Sequence, residues 1–370
     1  MRNFIKVIML AACLIIQNTA WSDEELLIGF AGSGTETAMT SFSVGYCSDC
    51  KFSIDWKNLD YSTYKGAYRQ YVSPLLDHVA ISPIYESYRR SNCSSGSGCY
   101  DSFVVEDILL SAYAPAITYF NGSIYTAYVD RATQEVRMAY SDDDGYSWQM
   151  INNNRGRVLT LRSAGRPALL GFGDHLYLAV RGLSSKSLYI AKSNNGKDWL
   201  SSDLVVPGDK SASGPSLTVL GDTMYLAFRG ASTNYIYYKT SVRGGVWSAA
   251  KRIRKHKTSN TPYIASYDGK LHLAYKGSSS NNLYMLSSVD GVNWSNERRL
   301  PSSIKSNRGP AIAPSVMGGE LYIAFKHIST SQVLYSKSID GLNWSAPVSK
   351  EFSKTSGSLS LTQTHYGYLR

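Results

Sequence analysis

The sequence predicts an all-β fold, a β-propeller of about six four-stranded blades. Two observations predict it: a short phrase that recurs at blade spacing, and a strand pattern that recurs between its copies. The phrase is Ser-x-Asp-Gly-x-x-Trp. It is cleanest from Ser288 to Trp294 and from Ser338 to Trp344, and looser copies end at Trp148, Trp199 and Trp247. Successive tryptophans lie 51, 48, 47 and 50 residues apart. A period of roughly 40–50 residues holding several short strands belongs to a propeller blade. Five or seven blades stay open, because ring closure cannot be counted from a repeat.

Residues 1–22 read as a secretory signal. Arg2 and Lys6 form a basic start, Ile8 to Ile16 an apolar stretch, and Thr19, Ala20 and Ser22 a small-residue end. The stretch is too short for a membrane span. The expected product is a secreted or periplasmic protein, with residues 23–370 as one domain. Cys13 leaves with the signal, and Cys47, Cys50, Cys93 and Cys99 remain, an even number suited to disulfides in an oxidising compartment. Local Cys47–Cys50 and Cys93–Cys99 bridges are the expected pairing among three. A zinc half-site at Cys47 and Cys50 would need a second ligand pair, and none is evident, so no metal and no cofactor is expected. Residues 45–103 do not fit the repeat and read as an irregular insertion rich in Cys, Tyr and Ser, of the length that is usually functional or covering.

Each repeat unit then builds in the same order. A first strand begins at a proline, at Pro115, Pro167, Pro215, Pro262 and, in the fifth unit, Pro314, where no ladder donor is needed. A glycine-bearing turn follows. The second strand alternates, as in Leu176-Tyr177-Leu178-Ala179-Val180, and an alanine holds one register in every unit: Ala127, Ala179, Ala227, Ala274 and Ala324. A small residue fixed there implies close packing between blades. A polar loop, a third strand and the Ser-x-Asp-Gly-x-x-Trp turn complete the unit. The chain stops in mid-unit after Ser356 to Leu361, so a shared blade is expected. Its missing strands would come from Glu25–Phe30 or Ala38–Val44, and from Val104–Leu110, which runs straight into Pro115.

The phrase resembles the Asp-box of the sialidase-like, or BNR-repeat, β-propellers, over about Tyr113 to Val348. The matching positions are Ser141, Asp143, Gly145 and Trp148 in the first copy and Asn195 and Trp199 in the second. Trp247 marks a degenerate third copy with Arg243 at the Asp position, and Asp290, Trp294, Asp340 and Trp344 the last two. The resemblance implies a turn on the face away from the ligand, so these residues are structural: a carboxylate or amide accepts backbone donors, Gly allows positive φ, and Trp packs back.

Function is expected on the opposite face. After the second strand, four of five units place a cation followed by small hydroxyl residues: Arg181, Arg229, Lys276 and Lys326, with Ser185, Ser232 and Ser279. Cations beside hydroxyls suit carboxylate, sulfate or phosphate groups on sugars; a contact copied with each blade is the alternative. The formal charge of +10 favours an anionic partner. Nucleic acid is not expected, since no recognition module is present.

Three functions compete. The first is a non-catalytic, exported lectin for acidic glycans, its partner a host or surface glycoprotein. Weak sites repeated around one ring gain from avidity. The second is a sialidase-like hydrolase drawing catalytic groups from residues 45–112. Glycoside cleavage needs two carboxyl groups roughly 5–10 Å apart, yet no predicted first strand carries Asp or Glu. The family's Arg-Ile-Pro phrase is also missing. Arg166 and Arg308 could imitate two of its three arginines, Asp101, Glu106, Asp107, Asp130 or Glu135 could supply a carboxyl group, and Tyr113 or Tyr263 the nucleophile. The third is a protein-binding adhesin or toxin-associated scaffold.

Overall fold

The structure, a computed structural model, describes residues 25–32, 37–43, 87–92, 100–105, 112–142, 149–151, 157–200, 208–315 and 319–364. These residues are all strand, turn and loop. Two hairpins come first: β1 (Glu25–Gly32) with β2 (Thr37–Ser43), and β3 (Ser87–Asn92) with β4 (Tyr100–Val105). The second hairpin lies within the segment read as irregular and runs just past it. The signal segment, all four remaining cysteines, most of the insertion, and residues 106–110 fall outside the described residues.

Unit one holds β5 (Ala116–Phe120), β6 (Ser123–Val129), β7 (Glu135–Ser141), β8 (Gln149–Met150) and β9 (Arg157–Arg162), the last two both paired with β7. Unit two holds β10 (Ala168–Phe172), β11 (His175–Arg181) and β12 (Leu188–Ser193). Unit three holds β13 (Ser216–Leu220), β14 (Thr223–Arg229), β15 (Tyr235–Val242) and β16 (Lys251–Lys257). Unit four holds β17 (Tyr263–Tyr267), β18 (Lys270–Lys276), β19 (Leu283–Ser288) and β20 (Arg298–Arg299). Unit five holds β21 (Ala311–Pro314), β22 (Leu321–Lys326), β23 (Gln332–Ser338) and β24 (Val348–Thr364). Every pairing is antiparallel, and apart from β7–β9 and β1–β24 each joins chain neighbours, the meander of a propeller blade. The fifth first strand follows Pro310, as β5, β10, β13 and β17 follow Pro115, Pro167, Pro215 and Pro262; Pro314 ends β21 instead of starting it.

Among the described residues the sheets number six: one for each of the five units, and the separate β3–β4 hairpin. What the repeat suggests as a sixth, shared blade is continuous with the fifth. β24 is 17 residues long; its first half pairs with β23, and its second half pairs with β1 from Glu25↔Thr364 to Phe30↔Leu359. The result is one six-stranded sheet ordered β2-β1-β24-β23-β22-β21. Around the axis, β5, β10, β13, β17 and β21 take the inner positions in turn, and β24 packs between β21 and β5. The two chain ends therefore close the ring, as expected, with β1 and β2 as the partners.

The core sits between blades, in five clusters. Each holds one of the invariant alanines, facing the first and second strands of the next unit. Ala127 packs with Leu169, Leu176 and Leu178, and Ala179 with Leu217, Met224 and Leu226. Ala227 meets Ile264, Leu271 and Leu273, and Ala274 meets Ile312, Leu321 and Ile323. Ala324 meets Leu359 and Leu361 on β24. At a close-packed interface even one added methylene is felt.

Candidate functional site

The axis is filled by two of the residues singled out in the sequence. Arg166, just before β10, is 6% exposed, and Tyr263 opens β17 two units away. The guanidinium lies 4.2 Å from the centre of the tyrosine ring. Arg166 Nη1 donates to Leu359 O at 3.2 Å, and the Tyr263 hydroxyl donates to Leu361 O at 2.8 Å and accepts from Leu361 N at 3.2 Å. Burial pushes the Arg166 pKa down, and the adjacent Tyr263 pulls it back up. The remaining cleft, lined by Ala116, Ile117, Leu169, Ser216 and Leu217, has a volume of about 20 Å³, far below that of small-molecule pockets. Among the described residues, none of the inner strands β5, β10, β13, β17 and β21 carries Asp or Glu.

Two of the carboxyl candidates are engaged elsewhere. Asp130 Oδ2 and Glu135 Oε2 lie 3.5 and 3.3 Å from Arg137 Nη2, and Asp130 Oδ1 also accepts from the backbone and hydroxyl of Thr133. They brace the loop after β6. Asp101 lies on β4, and Glu106 and Asp107 fall outside the described residues. Arg308 is exposed, in the loop leading to β21. Tyr113 is half-buried ahead of β5.

The repeated cation begins as a contact between units. Arg181 donates from Nε to Ser211 O of unit three at 2.8 Å, and from Nη1 to Ala164 O at 3.1 Å. Arg229 donates from Nη1 to Ser259 O of unit four at 2.6 Å, while its Nε and Nη2 hold Asn234 Oδ1 of its own turn. Lys276 Nζ donates to Ser259 Oγ at 2.9 Å and Gly277 O at 3.2 Å, both within unit four. Lys326 is buried and makes no hydrogen bond or ion pair among the described residues. Burial lowers all four pKa values, and the charge of Arg308 lowers those of Lys276 and Lys326 further.

The glycine after the cation has its own reason. A Cβ on Gly182, Gly230 or Gly277 would strike the rings of Tyr189, Tyr237 and Tyr284, respectively, on the third strand. Three residues further on, a hydroxyl accepts from the backbone two positions ahead: Ser185 from Ser187 N at 3.2 Å, Thr233 from Tyr235 N at 3.4 Å and Ser280 from Asn282 N at 3.4 Å. Ser185 is therefore a turn residue. Its equivalents are Thr233 and Ser280, not Ser232 and Ser279, which are exposed one position earlier. Counting from the glycine, Arg-Gly-x-x-Ser, Arg-Gly-x-x-Thr and Lys-Gly-x-x-Ser, would have revealed this register. Loop serines also stitch units internally: Ser163 Oγ donates to Arg181 O at 2.8 Å and Ser211 Oγ to Arg229 O at 2.9 Å.

The opposite turns are structural in the copies described. Asp290 Oδ1 accepts from Ser288 Oγ, Val292 N and Asn293 N, and Asp340 Oδ1 from Ser338 Oγ, Leu342 N and Asn343 N. These backbone donors hold both carboxylates well below the usual range. Asn195 accepts the same three bonds from Ser193, Lys197 and Asp198, and gives its amide to Asp198, so the Asp…Asn pair of the other turns is exchanged for Asn…Asp. Trp199 and Trp294 are buried behind their turns, and Trp247 and Trp344 are half-buried. In the third copy Arg243 instead pairs with Asp222 across the sheet edge. Ser141 is buried; Asp143, Gly145 and Trp148 fall outside the described residues.

Among the described residues, no group of three His, Cys, Asp or Glu could hold a metal, and no helix is long and apolar enough to cross a membrane. No family profile and no curated protein sequence matches the chain. Solved structures do. The fucose-specific lectin from Aleuria aurantia superimposes with a TM-score of 0.53 at 8% identity, covering 90% of this chain and 93% of its own. The GH43_1 enzyme from Xanthomonas citri complexed with xylose gives a TM-score of 0.44 at 12% identity, covering 64% of this chain and 90% of its own. The chain is thus a β-propeller; identities this low show the fold alone.

Proposed function

We propose that this propeller binds carbohydrate on the face formed by the loops after its second strands, and that it holds its ligand without cleaving it. One observation carries the reading. Units two, three and four present the same short hydroxyl-bearing loop, with Ser184, Ser232 and Ser279 exposed, above a half-buried tyrosine at Tyr189, Tyr237 and Tyr284. In two of them the tyrosine hydroxyl reaches the loop, at 3.2 Å from Ser185 Oγ and 3.4 Å from Thr233 Oγ1. Aromatic faces beside hydroxyls suit sugar rings, and repetition around a ring multiplies weak sites.

Two further points support the reading. The same architecture in a fucose-specific lectin shows that a propeller accommodates such a role. The axis offers Arg166 and Tyr263 where a hydrolase would need a carboxyl pair. The formal charge of +10 favours acidic glycans, and the residues 1–22 signal favours export. The bonding of the Asp290 and Asp340 turns supports distant kinship with the Asp-box propellers.

A glycan array probed with the chain from residue 23 tests this, with the printed glycans analysed afterwards. Retained binding to intact glycans, stronger at low salt, is the expected result. Loss of terminal sugars would make the protein a hydrolase. A blank array would leave the protein-binding scaffold.

A further inference from the structure

We propose that Lys276, Lys326 and Arg308 form a site for one anionic group, a carboxylate, sulfate or phosphate, at the junction of units four and five. The inference rests on the carbohydrate reading for the source of the anion, but not for the site itself.

One slot differs in its bonding across four units. In units two and three it holds Arg181 and Arg229, whose donors reach backbone carbonyls of the following unit. A planar fork can bridge two loops in this way; a lysine ammonium acts as a compact charge. Lys276 bonds only within its own unit, so nothing from this slot crosses to unit five. Lys326 is 7% exposed and has no acceptor among the described residues, and its ammonium is not fully enclosed, so an anion can approach it.

The leading loop of unit five differs in the same place. Where units two to four have Gly165, Ser213 and Asn260, unit five has the exposed Arg308. Gly309 seats this loop against the unit-four loop at Thr261 O. Arg308 adjoins Gly309 in that contact, and Lys276 Nζ holds Ser259 Oγ two residues before Thr261, so cation and lysine flank one loop junction; the Arg308 charge lowers the pKa of both lysines. An ammonium without an acceptor at the end of a buried side chain is costly, and like charges nearby add to the cost. An anion between them would offset both through charge-assisted hydrogen bonds.

The test uses the chain from residue 23 and inorganic sulfate, titrated against chloride at matched ionic strength while the thermal midpoint is followed. Sulfate should raise the midpoint saturably, and Arg308→Gln and Lys326→Met should abolish the rise. Lys326→Met should fold with a midpoint at or above the parent in chloride, because it removes a buried unpaired charge. A sulfate response equal in parent and variants, or none beyond chloride in the parent, overturns the site. Sulfated and sialylated oligosaccharides, each with its neutral counterpart, then identify the source. Each variant should weaken acidic ligands about tenfold or more and leave neutral ones unchanged. Sulfate dependence with a blank glycan array keeps the anion site and removes the carbohydrate reading. Neutral glycan binding without a sulfate response does the reverse.

Discussion

The Arg166 guanidinium lies 4.2 Å from the centre of the Tyr263 ring, and both residues bond the same closing strand, at Leu359 O and Leu361. Units two and four are therefore tied at the axis to the strand that joins the chain ends. Stacking of guanidinium on an aromatic face contributes about 0.5–2 kcal/mol depending on desolvation, and here the arginine Nε is buried and has no hydrogen-bond partner among the described residues.

Removing the Tyr263 hydroxyl tests this tie. Tyr263→Phe keeps the ring but strips two hydrogen bonds from Leu361, and should cost about 1–2 kcal/mol in urea unfolding. Tyr263→Ala should cost about 3–5 kcal/mol through the cavity it leaves. Arg166→Met should be near neutral, since a buried charge without a counter-ion is replaced by an apolar stem of similar length. If Arg166→Met costs as much as Tyr263→Ala, the arginine rather than the ring is the organising group.

Local features were legible in the sequence because their causes are local. The Asp290 and Asp340 turns follow from an acceptor, a positive-φ glycine and a tryptophan within seven residues. The alanine register was legible because a repeat copies its interfaces along with its strands. Long-range features were not. Arg166 and Tyr263 are distant in sequence and meet only after the ring closes. The cation slot reads the same in four units, yet what each cation bonds depends on the next unit's leading loop. Ala313-Pro314 matches the Ala-Pro pair at Pro115, and Gly309-Pro310 matches Gly214-Pro215 equally well; only strand pairing separates them.

The exchanged pair at Asn195 and Asp198 makes a prediction for the Asp340 turn. Asp340→Asn should destabilise the protein, because Asn343 then offers an amide where Asp198 offers a carboxylate. The double change Asp340→Asn with Asn343→Asp should recover most of the loss. The Asp340 carboxyl is held below its ordinary value by backbone donors. Its contribution is therefore present above the unfolded value of about 3.9 and is lost as pH falls through the lower folded value. The gap in midpoint between parent and Asp340→Asn should be full above about pH 5 and narrow in stronger acid.

Gly214 tests how closely the leading loops approach. A Cβ there would run into the Arg166 backbone, and one on Gly165 would meet Gly214 N. The obstacle is main chain, which cannot rotate aside. Gly214→Ala should therefore cost about 1–3 kcal/mol, whereas Gly221→Ala, at φ 56° with open space around it, should show only the smaller cost of backbone strain. Chemical unfolding of the two variants side by side separates crowding from conformation.

His272 stands where the other units have Tyr125, Tyr177, Tyr225 and Tyr322, and in that place it is the titrating member. It is 2% exposed, against Gly341 and the Tyr267 ring, and neither ring nitrogen has a hydrogen-bond partner among the described residues. Burial, with the nearby charge of Lys270, pushes its pKa down to about 4, opposed by Tyr267 and Asp268. The unfolded chain would bind this proton near pH 6.5. Because the folded value is the lower one, the unfolded state holds more protons between the two, and stability rises with pH across that window. The contribution is complete above about pH 6.5 and is lost as pH falls toward 4, amounting to up to about 3 kcal/mol. His272→Tyr restores the residue of the other units, whose hydroxyls already sit against the matching glycines Gly244 and Gly291. That variant should flatten the stability profile between pH 4 and 6.5 while leaving the acid limb set by Asp290 and Asp340. An unchanged slope in His272→Tyr would place the titrating group elsewhere.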